Sequence, residues 1–285
     1  MWPIYILNGL YFAALLFFLS LGLNLILGVM GILNLAHGSL YAIGAFMAAW
    51  TIIAVGTGIP VYFALLGGVV LGALFGLLLE LLLIRPMYKR ALEYQLLITF
   101  GALLLFEDLI KMIWGGEALY ASEPFDILGK TSILGHSYPV YFLLVMIITL
   151  IVGLLIWLMM SKTNFGIMIR AISLDREMAT GLGLSVGKLS TLVFVLGAAL
   201  AGFAGALVVP TTPALLGIGM EPLILAFIVV VVGGLGSLKG ALVGALIVGE
   251  IRSIGIAFFP EIELALLFLI AAIILVVRPK GLFGR

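Results

Sequence analysis

The segment that decides the fold is "IYILNGLYFAALLFFLSLGLNLILGV", residues 4–29. It contains no charged residue and is longer than the roughly 20 apolar residues that a helix needs to cross a bilayer. No basic residue precedes it, and its apolar run exceeds the roughly 7–15 residues of a signal-peptide core. We therefore predict a retained transmembrane helix at this position.

The composition extends this interpretation to the whole chain. Hydrophobic residues make up 65% of the 285 positions and charged residues 9%, against roughly 45–50% and about 25% in soluble domains. Most of the exterior must therefore face lipid. The net charge of +1 gives no reason to expect a nucleic-acid partner. The absence of cysteine excludes a disulfide framework, a thiol nucleophile and a thiolate metal site.

Further apolar runs predict additional membrane segments. Six are as clear as the first, at residues 61–84, 96–114, 140–160, 189–209, 241–258 and 262–277. Residues 39–55 and 222–232 are less regular, because the first follows a polar cluster and the second is too short to span alone. We expect an all-α, polytopic transmembrane helical bundle of eight to nine segments. One domain, residues 1–285, is enough to hold it.

Basic residues give the orientation, since Lys and Arg are enriched in cytoplasmic loops. They occur in two loops and in the tail, at Arg85, Lys89, Arg90, Lys162, Arg170, Arg176, Lys188, Arg278, Lys280 and Arg285. The loop at residues 115–139 is mainly acidic and is therefore predicted to be external. If residues 39–55 span fully, there are nine segments and the N-terminus is external. If they form a re-entrant segment, there are eight and the N-terminus is cytoplasmic.

Glycines recur every four positions along two predicted helices. Gly68, Gly72 and Gly76 share one helix face, and Gly240 and Gly244 repeat the spacing later. Small residues at this spacing let helix backbones approach closely in lipid. We favour packing within the chain over a dimer seam.

The stretch "NLAHGS", residues 34–39, interrupts the apolar sequence. His37 is ionisable, and such a group at membrane depth faces the protein interior or a wet cavity. Asn34, Gly38 and Ser39 are poor mid-helix residues, so we predict a break in the helix. Broken helices in transporters lie near the substrate. Asn34, His37 and Ser39 either stabilise the break or line the substrate pathway.

A second polar cluster is "PTTPALLGIGMEPLI", residues 210–224. Thr212-Pro213 and Glu221-Pro222 each resemble a helix start, where proline costs no hydrogen bond. The short apolar segment after Glu221 predicts a re-entrant half-helix. The positive N-terminal end of such a helix attracts a substrate carboxylate, although Glu221 itself repels one. Thr211, Thr212 and Glu221 are further candidate pathway residues.

Other charges fall within or beside the predicted spans. Glu107 precedes Lys111 by four positions, a favourable pair on a helix. Glu250 and Arg252, two positions apart, point to different faces. We interpret both sets as structural charges near the membrane interface.

Other functional classes receive less support. A proton- or sodium-driven transporter would need Glu107, Asp108 or His37 as its ion site, but no run of acids and histidines follows one face. No phosphate-binding loop is present, so we expect no ATP hydrolysis by this chain. His37 and His136 lack the spacing of a metal site, and no nucleophile and base converge. We predict no catalytic residue and no metal ligand.

The loop at residues 164–187, "NFGIMIRAISLDREMATGLGLSVG", predicts a short amphipathic helix followed by a glycine-rich turn. Its apolar residues lie near i, i+4, i+7 spacing, at Ile167, Ala171, Leu174, Met178 and Ala179. Such a helix either binds another protein or lies on the lipid surface. Because basic residues are few and acidic residues are interspersed, we favour the protein partner.

Four ordered blocks then carry a family resemblance. They are "GVMGILNLAHGSLYAIGAFMA" (28–48), "GIMIRAISLDREMATGLGLSVGKLSTLVFVLGAALAGFAGAL" (166–207), "VVVVGGLGSLKGALVGALIVG" (229–249) and "RPKGLFGR" (278–285). Together they make the chain resemble the permease subunits of branched-chain amino acid ABC importers, of the LivH type. The resemblance covers essentially the whole chain. Relatives in this family also carry urea and short amides.

The resemblance implies a fold, a cellular location and a set of partners. It implies a type II ABC importer-like fold in the cell membrane, and a second, LivM-type permease beside this one. Two cytoplasmic ATPases that bind Mg-ATP and an extracytoplasmic solute-binding protein complete such an importer. This chain would then be a non-catalytic subunit without a cofactor of its own. The coupling residues that the resemblance implies are Arg170, Ala171, Asp175, Arg176, Ala179 and Gly183.

Overall fold

A computed structural model describes residues 2–56, 60–88, 90–133 and 135–284. Its helices are α1 (Trp2–Met30), α2 (His37–Val55), α3 (Pro60–Leu79), α4 (Leu92–Trp114), α5 (Glu123–Leu128), α6 (Val140–Lys162), α7 (Asn164–Leu174), α8 (Arg176–Gly181), α9 (Val186–Val208), α10 (Met220–Gly233), α11 (Leu238–Phe258) and α12 (Glu263–Val277). The predicted helical bundle is confirmed. Two of the basic residues that predict the orientation, Lys89 and Arg285, lie outside the described residues.

The loop predicted to be external has a small structure of its own. Strands β1 (Lys130–Ile133) and β2 (His136–Pro139) pair antiparallel, with Lys130 opposite Pro139. Together with α5, this hairpin lies outside the helical bundle, between the end of α4 and the start of α6. It leaves the all-α class of the membrane domain unchanged.

The helix break predicted around Asn34 is present. Helix α1 ends at Met30, Gly31 adopts a φ of 68°, and residues 31–36 are not helical. Helix α2 then begins at His37, whose Nε2 lies 3.1 Å from the carbonyl oxygen of Leu19 in the middle of α1. The chain therefore returns to the middle of the bundle before α2 starts.

A second broken pass precedes α10. Residues 209–219 form turns, and α10 begins only at Met220, which confirms the helix start predicted at Glu221-Pro222. The helix start predicted at Thr212-Pro213 is wrong. The backbone N–H of Thr212 closes a turn onto the carbonyl of Val208, and Ala214 pairs with Leu119 of the external loop.

Contacts along α1 place its start on the same side of the bundle as the β-hairpin. Ser253, near the end of α11, donates a 2.7 Å hydrogen bond to the carbonyl of Tyr5. Tyr11 stacks on Phe142, at the start of α6, with ring centroids 4.0 Å apart. The start of α1 therefore lies on the side of the β-hairpin, which is the side that the basic residues predict to be external. This arrangement agrees with the alternative of nine segments, in which residues 39–55 span fully.

Length and apolar composition alone identify fewer spanning helices. By that measure six helices among the described residues could cross a membrane. Helices α10 and α12 are too short to qualify, and α4 is 23 residues long but carries several charges. The Glu107–Lys111 pair predicted on α4 is not formed in the described part of the chain. Glu107 Oε2 instead accepts a hydrogen bond from the backbone N–H of Gly217, at 3.1 Å.

The glycine repeats pack helices within the chain, as predicted. A Cβ placed on Gly68 would lie 2.6 Å from the carbonyl oxygen of Gly202 on α9, and one on Gly72 would lie 2.7 Å from that of Ala198. Gly244 on α11 approaches the carbonyl of Val229 on α10 in the same way. These contacts hold α3 against α9 and α11 against α10.

Candidate substrate cavity and cytoplasmic docking segment

A cavity of about 310 Å³ lies where the two broken passes meet. We call it the central cavity. Helices α1, α2, α10 and α11 and the turns of residues 209–219 form its walls. Most of its lining is apolar, including Leu15, Leu16 and Leu19 on α1 and Leu225 on α10. A concave apolar site with few polar groups is typical of small-molecule binding.

The polar end of the central cavity is an ion pair. Arg252 on α11 donates from its guanidinium to Oε1 of Glu221 in the first turn of α10. The Arg252 side chain is 15% exposed and that of Glu221 53% exposed. The guanidinium also lies 5.3 Å from the ring centroid of Phe12. A charged side chain in a membrane segment needs such a partner, because desolvation without one is costly.

Arg252 retains an unused donor. Its Nε is buried and has no hydrogen-bond partner among the described residues. From the sequence alone, Arg252 is predicted to be only a structural charge. The available signal was an arginine within a predicted span, with no acidic residue three or four positions away on its own helix.

The first three predicted pathway residues shape the helix break. Oδ1 of Asn34 accepts a 3.1 Å hydrogen bond from the backbone N–H of Ala36, which stabilises the turn before α2. His37 contacts the carbonyl of Leu19, and Ser39 donates to the carbonyl of Leu103 at 3.5 Å. All three side chains are buried and lie outside the lining of the central cavity.

The other three predicted pathway residues lie at or beside the cavity. Thr212 and Glu221 line it. Thr211 instead donates to the carbonyl of Val208 at 2.8 Å, and its Oγ1 lies 2.9 Å from the hydroxyl of Tyr11. The hydroxyl groups of Thr212 and Tyr41 are the other polar side-chain groups in the lining.

Residues 164–183 form what we call the docking segment, and they contain two helices where one was predicted. Asp175 adopts an extended conformation after α7, and its Oδ1 accepts a 2.9 Å hydrogen bond from the backbone N–H of Met178. It is therefore the N-cap of α8, which turns the chain. Gly183 ends the segment with a φ of 84°.

The docking segment presents an apolar surface to solvent. Ile169, Ile172 and Ala179 are buried against the bundle, whereas Leu174 and Leu182 are 79% and 75% exposed. Met178, also exposed, lies between them in sequence. We call Leu174, Met178 and Leu182 the docking patch. Exposed apolar side chains in a cluster of this kind are typical of protein interaction sites.

A buried carboxylate joins the inner end of α3 to its neighbours. The helix widens into a π-helical turn over Glu80–Ile84, and the Glu80 side chain is completely buried. Arg85 donates to both carboxylate oxygens of Glu80, at 3.3 and 3.2 Å, and to the hydroxyl of Thr191 on α9 at 2.6 Å. Single π-helical turns of this kind occur frequently at functional sites.

Tyr88 connects this cluster to the docking segment. Its hydroxyl donates to Oε1 of Glu80, and the guanidinium carbon of Arg176 lies 5.5 Å from its ring centroid. Burial and the hydrogen bond to the Glu80 carboxylate raise the pKa of Tyr88 above its usual range, so the hydroxyl remains a donor. Arg176 also donates to Ser190 of α9 at 3.1 Å. The first residue of α8 is thus linked to both α3 and α9.

Comparison with known proteins places the chain in a family. Residues 5–277 match the family model described as "Branched-chain amino acid transport system / permease component". The LivH permease protein of the high-affinity branched-chain amino acid transport system of Escherichia coli K12 is 26% identical, over 98% of this chain and 94% of its own length. The BraD permease protein of Pseudomonas aeruginosa is 27% identical over the same shares.

An archaeal relative supports the same assignment. The probable branched-chain amino acid transport permease protein LivH of Methanocaldococcus jannaschii is 31% identical, over 87% of this chain and 79% of its own length. No solved structure matches the chain. The chain belongs to this family of permease components and is a multi-pass protein of the inner membrane.

Proposed function

We propose that this permease component carries branched-chain or other hydrophobic amino acids as the membrane subunit of an ATP-driven importer. The central cavity is the observation that carries the proposal. An apolar lining with one ion pair at its end suits a substrate that has an apolar side chain and two charged groups. The relatives named above, which belong to branched-chain amino acid transport systems, agree with this substrate class.

A complete importer requires further subunits. We infer a second, LivM-type permease beside this chain, two cytoplasmic ATP-binding subunits and an extracytoplasmic solute-binding protein. The chain itself, residues 1–285, would act as a single transmembrane domain with a coupling loop at residues 164–187. Mg-ATP would bind to the ATPase subunits, and this chain would be non-catalytic and without a cofactor.

The docking segment is the proposed contact with an ATPase subunit. Among the coupling residues implied by the resemblance, Asp175 caps α8, Ala179 anchors it and Gly183 turns the chain. Arg170 ties α7 to the carbonyl of Met160 at the end of α6. Ala171 is half-buried in α7, and its carbonyl accepts a hydrogen bond from the backbone N–H of Asp175 at 3.0 Å. These residues would shape the segment, while the docking patch would supply the apolar contact.

Arg176 connects the proposed docking segment to the helical bundle. It begins α8 and contacts Tyr88 and Ser190, so a displacement of α8 would be transmitted to α3 and α9. Helix α9 packs against the broken helix α2 near the central cavity, through Gly202 and Gly44. We infer that Asn34, His37 and Ser39 stabilise the break beside the pathway, while Thr212 and Glu221 face it, with Thr211 behind them.

Hydrogen bonds to two of the candidate ion-binding residues disfavour an ion-driven transporter. Glu107 is occupied by the backbone N–H of Gly217, and His37 by the carbonyl of Leu19. The family match points to an importer subunit. Residues committed to backbone hydrogen bonds would have to break them in order to bind an ion.

Reconstitution tests the proposed function. The chain is placed in proteoliposomes with its candidate partner permease, ATPases and binding protein, and leucine uptake and ATP hydrolysis are recorded together. We expect uptake that requires ATP and is lost when Arg170 or Asp175 is replaced by alanine. Uptake that proceeds without the ATPases and follows a proton or sodium gradient would contradict the proposal. Uptake of urea or a short amide instead of leucine would replace the substrate class.

A further inference from the structure

We propose that Glu221 and Arg252 bind the zwitterionic head of the amino acid during its passage, while the central cavity holds its side chain. Arg252 would take the α-carboxylate and Glu221 the α-ammonium group. This inference rests on the proposed function, because it names the residues that recognise the substrate of that function.

Both members of the ion pair keep hydrogen-bonding groups that the pair itself does not use. Arg252 uses one terminal nitrogen for Glu221, and its Nε is buried without a partner in the described part of the chain. A guanidinium has five N–H donors in a fixed fork that matches a carboxylate. Glu221 uses Oε1, and the side chain is half exposed beside the cavity, so its other oxygen can accept an ammonium group.

A purely structural ion pair does not account for this arrangement. Burying a charge pair is favourable only when the remaining donors and acceptors are also satisfied. Here Nε of Arg252 is buried without a partner among the described residues, so the ion pair leaves one donor unsatisfied. The Arg252 side chain is 15% exposed and lines the cavity, so a substrate carboxylate would bind the exposed part of the guanidinium.

Charge balance explains why the ligand should be a zwitterion. The paired Glu221 and Arg252 are neutral together, and so is an amino acid with both of its charged groups. The complex therefore carries no net charge into the membrane. A ligand with only a carboxylate or only an ammonium group would leave one uncompensated charge, which is costly at this depth.

The volume and the apolar lining of the central cavity would determine which amino acids fit. Its volume of about 310 Å³ is at the lower end of the roughly 300–1,000 Å³ of small-molecule sites. Leu15, Leu16 and Leu225 line it and offer no hydrogen-bond partner to a polar substrate side chain. The hydroxyl groups of Thr212 and Tyr41 are the remaining polar side-chain groups there. An apolar side chain of modest size is therefore the best occupant.

Charge-neutral substitutions test the pair in the assembled importer. Glu221→Gln and Arg252→Gln are made singly and together, with Glu261→Gln in the exposed α11–α12 turn as the matched control. Uptake is measured with leucine, with leucinamide, which lacks the carboxylate, and with 4-methylpentanoate, which lacks the ammonium group. Assembly of each variant is checked by size-exclusion chromatography.

We expect each single variant to lower leucine uptake about tenfold or more, as removal of one member of a desolvated charge pair does. The double variant keeps a hydrogen-bonded neutral pair, so a merely structural role would restore leucine uptake in it. We expect no restoration, because the zwitterion has lost both charged partners. Recovery of leucine uptake by the double variant, or an equal loss in Glu261→Gln, would overturn the proposal.

Cysteine labelling provides a second test that does not depend on transport by the charge variants. The chain contains no cysteine, so a single one can be introduced cleanly. Thr212→Cys and Leu225→Cys lie in the cavity, and Leu242→Cys on α11 lies outside its lining and is the control. We expect leucine to slow modification of both cavity cysteines by roughly fivefold or more, and leucinamide and 4-methylpentanoate to protect neither.

The outcomes distinguish failure of the proposed binding site from failure of the proposed function. If the unsubstituted importer takes up leucine but leucine protects neither cavity cysteine, the binding site is wrong and the proposed function stands. If the unsubstituted importer transports no hydrophobic amino acid, the proposed function itself fails. Equal protection at Leu242→Cys would indicate a general conformational effect and would also count against the site.

Discussion

Gly38 at the start of α2 lies directly against Gly219, the residue before α10. A Cβ placed on Gly38 would stand 2.6 Å from the carbonyl oxygen of Gly219 and 3.0 Å from the Cβ of Leu223. Two half-helices therefore begin at one point inside the bundle. Non-helical backbone is tolerated at membrane depth only where protein or trapped water surrounds it. The two glycines bring these two irregular segments close enough to shield each other.

Alanine at either glycine should therefore destabilise the protein. Overpacking of a tight contact costs about 1–3 kcal/mol, and backbone atoms on both sides leave no flexible group that can move away. We expect Gly38→Ala and Gly219→Ala to lower the thermal unfolding midpoint of the detergent-solubilised chain. Gly101→Ala in α4 is the control, because no atom lies within 4 Å of the added Cβ. A midpoint unchanged in Gly38→Ala would show that the contact is looser than described.

Asn24 should be the residue that fixes the α10–α11 turn to α1. Its Nδ2 donates to the carbonyl of Ser237 at 2.8 Å, and its Oδ1 accepts from the backbone N–H of Gly236 at 2.6 Å. Replacement by leucine leaves both backbone groups without these bonds. We expect a loss of about 1–2 kcal/mol in the free energy of unfolding, the range for hydrogen bonds between membrane helices.

Reversible unfolding in mixed micelles measures this difference. Asn8→Leu on the same helix serves as the control, since Asn8 is only half-buried and makes no hydrogen bond to the α10–α11 turn. The prediction fails if Asn8→Leu and Asn24→Leu lose the same stability. It also fails if Asn24→Leu is as stable as the unsubstituted chain.

Tyr88 should transmit the position of the docking segment to α3. Phenylalanine at this position keeps the ring beneath Arg176 but removes the hydroxyl that binds Glu80. We expect Tyr88→Phe to reduce leucine uptake per ATP hydrolysed several-fold in the reconstituted importer, with assembly intact. Tyr94→Phe, at an exposed position on α4, is the control. An unchanged ratio of uptake to hydrolysis would remove Tyr88 from the coupling route.

Local features of the fold could be predicted from the sequence, whereas contacts between distant segments could not. Apolar length locates the helices, and the polar residues of 34–39 locate the break, because both are properties of a single stretch. The partner of Glu107 could not be predicted, because Gly217 lies far along the chain and offers only a backbone N–H. The start wrongly assigned to Pro213 has the same cause, since pairing with the external loop overrides the local proline signal.

The candidate site also depends on contacts between distant segments, which the sequence does not predict. Glu221 was a candidate from its helix-start pattern, but Arg252 acquires its importance only because α10 and α11 fold back on each other. Neither residue alone indicates a zwitterion site. The docking segment was located from its amphipathic pattern, yet the division into α7 and α8 depends on one side-chain cap, that of Asp175.

The docking patch should be necessary for binding of an ATPase subunit and dispensable for folding. Leu174, Met178 and Leu182 are 79%, 64% and 75% exposed, so polar replacements remove little buried apolar surface. We expect the triple serine variant to retain the thermal midpoint of the isolated chain and to lose co-purification with the ATPase. Ile127→Ser on the exposed face of α5 is the external control. If the triple variant still binds the ATPase normally, the patch faces lipid or another partner, and the amphipathic pattern has a different cause.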